Sequence, residues 1–300
     1  MSVITRSAHP AALWPGVKAM FGQAYNEVSP EWSSVFKKGT SDKAYEKLVE
    51  ITGFGLAPAK PEGESISYDE DGEGYTNVLT HIVYGLGYQV TREENEDNLY
   101  EEVSMRRSPA LAYSMRQTAE ITHANILNRS QSGSYTYGDG VALVSNAHPT
   151  LAGNQSNLLT AADLSEASVE DGLKAIRQAT NARGLKVAIK AKRLIIHTDD
   201  IFNATRIFQS DQRVSTANND INAMKVLGSI PEIVPMTFLT DNDGWFIQTD
   251  VPQGLASLWR REVELTKDKD FDTENAKAKA TMRFAAGFGD WRCLYGNAGS

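Results

Sequence analysis

Apolar positions recur with two periods along this chain, and the changes of period mark its organisation. From 91 to 130 the segment TREENEDNLYEEVSMRRSPALAYSMRQTAEITHANILNRS places Leu99, Val103, Leu111, Met115, Ala119, Thr122 and Ile126 at helical spacing. That pattern predicts one long helix with a single buried stripe. Thr91 with Glu94 fits a capping box, and acidic residues fill the first turns, where the helix dipole favours them. Pro109 supplies no backbone N–H, so it should kink the helix or divide it. A helix of this length reads as the backbone of a domain. His123 falls on its polar side and reads as a solvated or interface histidine.

Upstream, TNVLTHIVYGLGYQVT (76–91) is rich in β-branched and aromatic residues and predicts a strand interrupted at Gly85 and Gly87. Before it lies APAKPEGESISYDEDGEGY (57–75), acidic and rich in Gly and Pro, with too little apolar surface to fold alone. Together they predict a two-stranded excursion with an acidic tip protruding from its own subunit. Residues 1–50 carry Trp14, Phe21, Tyr25, Trp32 and Phe36 among three prolines, with little periodicity. Such a segment reads as an arm lying extended over a surface, its own or a neighbour's.

Downstream, GVALVSNAHPTLAGNQSNLL predicts a short strand and then irregular chain, and SEASVEDGLKAIRQATNARG an amphipathic helix ended by Gly184. Its stripe is Val169, Leu173, Ile176 and Ala179. KRLIIHTDDIFNATRIFQS predicts a buried strand running into a helix, with Asp199 or Asp200 at the helix start. SIPEIVPMTFL and GWFIQTD predict two short strands around the turn TDNDG. Two long strand-like stretches follow around an acidic, lysine-containing bend and end in FGDWRCLYGNAGS. Period-two spacing places Trp291, Cys293 and Tyr295 on one face of a terminal strand, with Arg292 and Leu294 on the other. A strand this aromatic must be held in a sheet, so the last residues should complete a domain begun much earlier.

Composition narrows the function classes. The 300 residues, 41% hydrophobic and 23% charged, suit one large domain or two ordinary ones. A net charge of −8 argues against coating nucleic acid. No apolar run reaches the roughly 18 residues that span a bilayer, and the first residues carry no apolar stretch of signal-peptide length. One cysteine excludes an internal disulfide and fits a reducing compartment. Synthesis in the cytoplasm follows, and the sequons at Asn128, Asn154 and Asn203 then carry no meaning.

A search for reaction chemistry returns nothing convergent. The five histidines, at 9, 81, 123, 148 and 197, are isolated from one another, and no HExxH or CxxC invites a metal. YGLGYQV lacks the third glycine and following helix of a phosphate loop. Cys293 lies in strand-like, aromatic context suited to burial rather than to nucleophilic work. The carboxylates at 93–102 suit a solvated helix start. No catalytic residue, cofactor or metal site is assigned. A chain with a protruding acidic loop and an aromatic arm is built to touch copies of itself.

Several stretches, taken in order, carry a family resemblance. They are SAHPAALWPGVKAMFGQAYNEVSPEW, KPEGESISYDEDGEGY, YGLGYQVTREENEDNLYE, SNAHPTLAGNQSNLL, GLKVAIKAKRLIIHTDDIFNATRIFQS, IPEIVPMTFLTDNDGWFIQTD and GFGDWRCLYGNAGS. Their succession resembles the major capsid proteins of tailed bacteriophages, in particular the group of the Mu-type major head subunit. The resemblance implies an α+β shell fold with an N-terminal arm (1–50), an extended loop (51–92) and a peripheral domain (93–165 and 256–300) built on a spine helix (93–130). An axial domain (166–255) completes it, and the terminal strand would close the peripheral sheet. It implies a structural, non-enzymatic subunit of a virion. That subunit would assemble into pentamers and hexamers around double-stranded DNA held without sequence-specific contacts. A separate scaffold, a portal and decoration proteins are the implied partners, with no membrane. An encapsulin-like shell enclosing protein cargo shares the fold and is the alternative. Residues expected at contacts between subunits are Trp14, Tyr25, Trp32, Lys60, Glu62, Asp69, Glu70 and Asp71; those expected to be structural are Pro109, Trp291, Cys293 and Tyr295. Some relatives cross-link through a loop lysine. Lys60 is the only lysine in the tip and no partner asparagine stands out, so non-covalent assembly is expected. The chain begins at the arm, without the long charged helical segment that some relatives carry as a removable scaffold.

Overall fold

Two long antiparallel strands and one long helix organise the chain. A computed structural model describes residues 10–27, 29–91, 93, 100–212, 221–226, 231–270 and 275–299. In chain order, helix α1 (Pro10–Asn26) and the single turn α2 (Trp32–Val35) lead into β1 (Lys37–Thr40) and β2 (Tyr45–Ile51). Strands β3 (Glu73–Thr80) and β4 (Ile82–Val90) precede the long helix α3 (Tyr100–Asn128) and the small hairpin β5 (His148–Thr150) and β6 (Gly153–Gln155). Helix α4 (Glu166–Arg177), β7 (Ala191–His197), α5 (Ile201–Gln209), α6 (Ala223–Val226), β8 (Glu232–Met236) and β9 (Trp245–Thr249) form the next stretch. The chain closes with β10 (Leu255–Lys269), β11 (Ala276–Phe288), a 3-10 turn at Trp291–Cys293 and β12 (Leu294–Asn297).

One sheet has the order β1-β10-β11-β4, with β10 and β11 in register from Leu255↔Phe288 to Lys269↔Ala276. Helix α3 packs on it through Leu111, Met115, Ala119 and Leu127, which meet Trp259, Met282 and Phe284 of the strands. The predicted stripe is shifted at its end: His123, Ala124 and Leu127 are buried, while Thr122 and Ile126 are only partly so. The helix runs unbroken through Pro109, so the proline does not divide it in two. The hydroxyl of the neighbouring Ser108 donates to the Val17 carbonyl of α1 at 3.1 Å. Glu94 and Leu99 lie outside the described residues, as does the side chain of Val103.

Residues 10–26 are helical rather than extended. Helix α1 buries Val17 and Phe21 against α3. The N-terminus of α2 is capped from α3, because Glu120 accepts from the Glu31 and Trp32 amides at 2.9 and 3.1 Å. This cap draws Trp32 inside.

The second sheet has the order β12-β9-β7-β8 and is buried on both faces. Ile195, Phe246 and Leu294 face the α3 core, while Leu194, Ile196, Trp245, Ile247 and Tyr295 face a second core with α4 and α5. Burial on both sides explains why these strands read as nearly continuous apolar runs. The terminal strand belongs here: β12 pairs with β9, Tyr295 opposite Ile247, so it does not close the sheet beside α3. Nor do its aromatics share one face. Trp291 and Cys293 sit in the 3-10 turn on the α3 core, and Tyr295 faces the other core.

Three further expectations are corrected. The 76–91 stretch is two strands divided at His81, with β3 pairing β2 and β4 pairing β11. Gly85 and Gly87 do not interrupt β4; a Cβ at Gly87 would sit 2.7 Å from the Ala278 carbonyl, so glycine permits the close approach. Helix α4 begins with the Ser165–Ser168 capping box and ends at Arg177, and Gly184 serves a later turn at φ +84°. The stretch 141–146 forms no strand.

Candidate assembly surfaces

The β2–β3 hairpin carries the predicted excursion, and its two ends differ in chemistry. Its base is bound to the terminal segment. Arg292 is buried and lies 3.0 Å from Glu50 of β2 and 3.2 Å from Asp290. Its Nε donates to the Thr180 carbonyl at 2.8 Å, another nitrogen donates to Gln155 Oε1 at 3.1 Å, and the guanidinium lies over the Trp291 ring. Burial pushes the Glu50 carboxyl up, opposed by Arg292. From β3, Asn77 donates to the Gly289 carbonyl at 3.0 Å and accepts from the Gly138 amide at 2.7 Å. The Trp291 amide donates to the Tyr75 hydroxyl at 3.4 Å.

The same terminal segment is fixed on its far side. Trp291 stacks on the buried His148 ring at 4.1 Å, and His148 contacts Asp139 at 2.6 Å. The Asn157 amide donates to the Leu143, Trp291 and Leu294 carbonyls at 2.7–3.1 Å. Cys293 is fully enclosed, and burial pushes its thiol up, so a thiolate nucleophile is not available there.

The tip, residues 52–72, is held by backbone and surface contacts. Thr52 Oγ1 donates to the Gly72 carbonyl at 2.9 Å. The Gly53 amide donates to Asp71 at 3.0 Å and the Gly55 amide to Asp69 at 2.7 Å. Arg183 pairs with Asp69 at 2.9 Å and donates to the Glu70 carbonyl. The Gly55 amide and then Arg183 hold the Asp69 carboxyl below its ordinary range. The large apolar side chains of this segment face outward: Phe54 is 61% exposed, Leu56 81%, Ile66 65% and Tyr68 93%. Lys60 and Glu62 are exposed beside them.

The other expected contact residues separate. Trp32 is 4% exposed and stacks on His123 at 4.4 Å, so it has no surface for a neighbour. Tyr25 is half-buried on α1 against Phe21, and burial pushes its hydroxyl up to about 12. Trp14 lies on α1 with its side chain outside the described residues. His123 is not solvated: it is enclosed between Trp32 and Phe284, bonded to the Ala119 carbonyl at 2.6 Å and Ser257 Oγ at 2.7 Å. Burial lowers its pKa to about 4, so the ring is neutral.

Sequence reasoning missed Arg292, Asn157, Asn77 and Glu120. Only Arg292 left a signal, as one charge inside an aromatic terminus. Among the described residues no group of three or more His, Cys, Asp or Glu could hold a metal, and no helix is long and apolar enough to cross a membrane.

A mixed fold with a long helix on a long-stranded sheet, a projecting hairpin and a second sheet is the architecture of tailed-phage major capsid shells. Solved structures with this fold include those of Mycobacterium phage Patience and Microbacterium phage Oxtober96. The first is 9% identical, covers 99% of this chain and 89% of that one, and gives a TM-score of 0.56. The second is 8% identical, covers 91% and 92%, and gives 0.55. The capsid of an empty GTA particle, 9% identical over 93% and 97%, gives 0.51. A comparison with curated proteins gives no match. Residues 76–297 match the family model described as phage capsid protein, and the chain belongs to that family. It is a structural capsid subunit and a virion component rather than an enzyme. These matches do not single out a Mu-type subgroup.

Proposed function

We propose that this chain is the major head subunit of a tailed phage, assembling into the pentamers and hexamers of an icosahedral shell that encloses double-stranded DNA. The observation that carries the reading is the tip of the β2–β3 hairpin. Phe54, Leu56, Ile66 and Tyr68 are exposed together on a segment whose base is rigidly bound, within a chain of the phage capsid family. Side chains of this size recover their burial energy, about 1.5–3 kcal/mol each, only when a second subunit covers them. Shells need several modest contacts per subunit, which extended elements deliver while the body stays rigid.

The division into arm, extended loop, spine helix, peripheral domain and axial domain belongs to the same proposal, with 294–297 reassigned to the axial sheet. Tyr25, Lys60, Glu62, Asp69, Glu70 and Asp71 are its candidate contact residues. Synthesis in the host cytoplasm, a separate scaffold, a portal and decoration proteins are its further elements. DNA is enclosed without sequence-specific contacts, and the net charge of −8 supports a wall that does not adsorb its contents. Electron microscopy and light scattering of the purified protein test the reading. Closed shells or five- and six-fold rings are expected, and a monomer at every concentration and salt would refute it.

A further inference from the structure

On the face of the first sheet turned away from α3, His81, Arg260 and Arg283 form a cationic cluster with Glu46 as the nearby acid. His81, at the junction of β3 and β4, is 5% exposed, and neither ring nitrogen has a hydrogen-bond partner. Arg283 of β11 and Arg260 of β10 stand close enough that, after burial, their charges are what push the imidazole below its ordinary pKa. The Nε of Arg283 is also buried without a partner. Arg261 occupies the position directly opposite Arg283 in the β10–β11 ladder, a like-charge placement that costs stability. Among the described residues no carboxylate pairs with Arg260, Arg261 or Arg283. Glu46, the nearby acid, is held by Ser41 at 2.7 Å and Lys43 at 3.1 Å. Ile82 and Val83 are exposed at the rim, Val83 opposite Arg283.

Guanidinium groups without an acid partner are donors only and are completed by an acceptor-only group, and a carboxylate supplies four lone-pair sites. The chain's own tip is already tied to Arg183 through Asp69 and the Glu70 carbonyl. Glu62 and Glu64 on that tip are exposed and have no basic partner among the described residues, and the exposed Ile66 and Tyr68 follow them. Charge and apolar character therefore match between cluster and tip. We propose that the cationic cluster of Arg260, Arg261 and Arg283 beside His81 receives a carboxylate from the 62–70 tip of a second copy of this chain, a contact that rests on the shell reading above.

The test reverses charge on both sides. Arg260→Glu with Arg261→Glu should lower shell yield, read by sedimentation and electron microscopy, by about ten-fold or more, while subunit melting stays unchanged or rises. Adding Glu62→Arg and Glu64→Arg to that chain should restore most of the yield. The milder pair Arg260→Ser and Arg261→Ser covers the case in which reversal prevents folding, and should give the same loss in smaller measure. Normal shell yield in folded arginine variants overturns the contact alone. So does a variant that closes shells but retains less DNA, because the cluster would then be reading phosphate. A wild-type chain that never leaves the monomer overturns the shell reading and the contact with it.

Discussion

The base and the tip of the β2–β3 hairpin are joined by a few residues, yet they are stabilised by different physics. At the base, Arg292 is enclosed with Glu50 and Asp290, and its hydrogen bonds reach three separate segments. At the tip, the partly buried Arg183 pairs with an exposed Asp69, and large apolar side chains are exposed. A buried ion pair is costly to break, whereas an exposed one is screened and weak. The hairpin is thus a firmly bound root carrying a segment that its own subunit holds only by backbone and surface contacts.

The strongest challenge to the comparison removes the root. Truncation after Gly289 deletes Arg292, the Trp291 stack on His148 and all of β12, which carries the Tyr295 ring into the second core. Soluble folding should be lost altogether. A soluble truncated chain, or rapid clipping of the intact subunit between Phe288 and Tyr295 with the body preserved, would show that the terminus is an appendage. Next in size is Arg292→Met, which leaves the partly buried Glu50 and Asp290 without their cation. A loss of about 3–5 kcal/mol is expected by chemical denaturation, and a loss under about 1 kcal/mol would place the root among ordinary surface pairs.

These two predictions rest on features that the sequence reveals unequally. Strands β10 and β11, the strand–helix unit β7–α5 and the stripe of α4 as far as Ile176 were legible because period and turn residues agree locally, whereas Ala179 and Gly184 fall beyond the end of α4. The partner of β12 was not, because period two specifies a strand without naming the sheet it joins. His123 was misread since a polar identity outweighed its position one residue from the expected stripe; the acceptors and rings that make its burial tolerable come from β10, β11 and α2. The division at His81 escaped because β-branched residues continue on both sides of it. The acidic, Gly- and Pro-rich composition marked the tip, but nothing local pointed to Arg183 more than a hundred residues away.

His123 sharpens the comparison by pH. Its folded pKa of about 4 lies below the ordinary value of about 6.5. The unfolded chain therefore takes up a proton first as pH falls, so this stabilising contribution is whole above 6.5 and is lost progressively between 6.5 and 4. The core should lose about 3 kcal/mol across that window, and His123→Phe should flatten the loss. A stability profile with the same slope in both proteins would mean that the ring is not enclosed as described.

The smallest effect on the subunit belongs to the tip. Arg183→Met removes the pair with Asp69 and the bond to the Glu70 carbonyl, but leaves the Gly53 and Gly55 amides on Asp71 and Asp69. Asp69 is exposed and Arg183 only partly buried, so salt screens the pair and subunit stability should fall by less than about 1 kcal/mol. The change should instead appear locally, as faster amide exchange over 53–72 with the amides of β3 still protected, because β3 is fixed through Tyr75 and Asn77 rather than through the tip. Hydrogen exchange followed by mass spectrometry reads both quantities in one experiment. If β3 exchanges together with the tip, the hairpin opens as one cooperative unit, and the division between a rigid root and a partner-seeking tip fails.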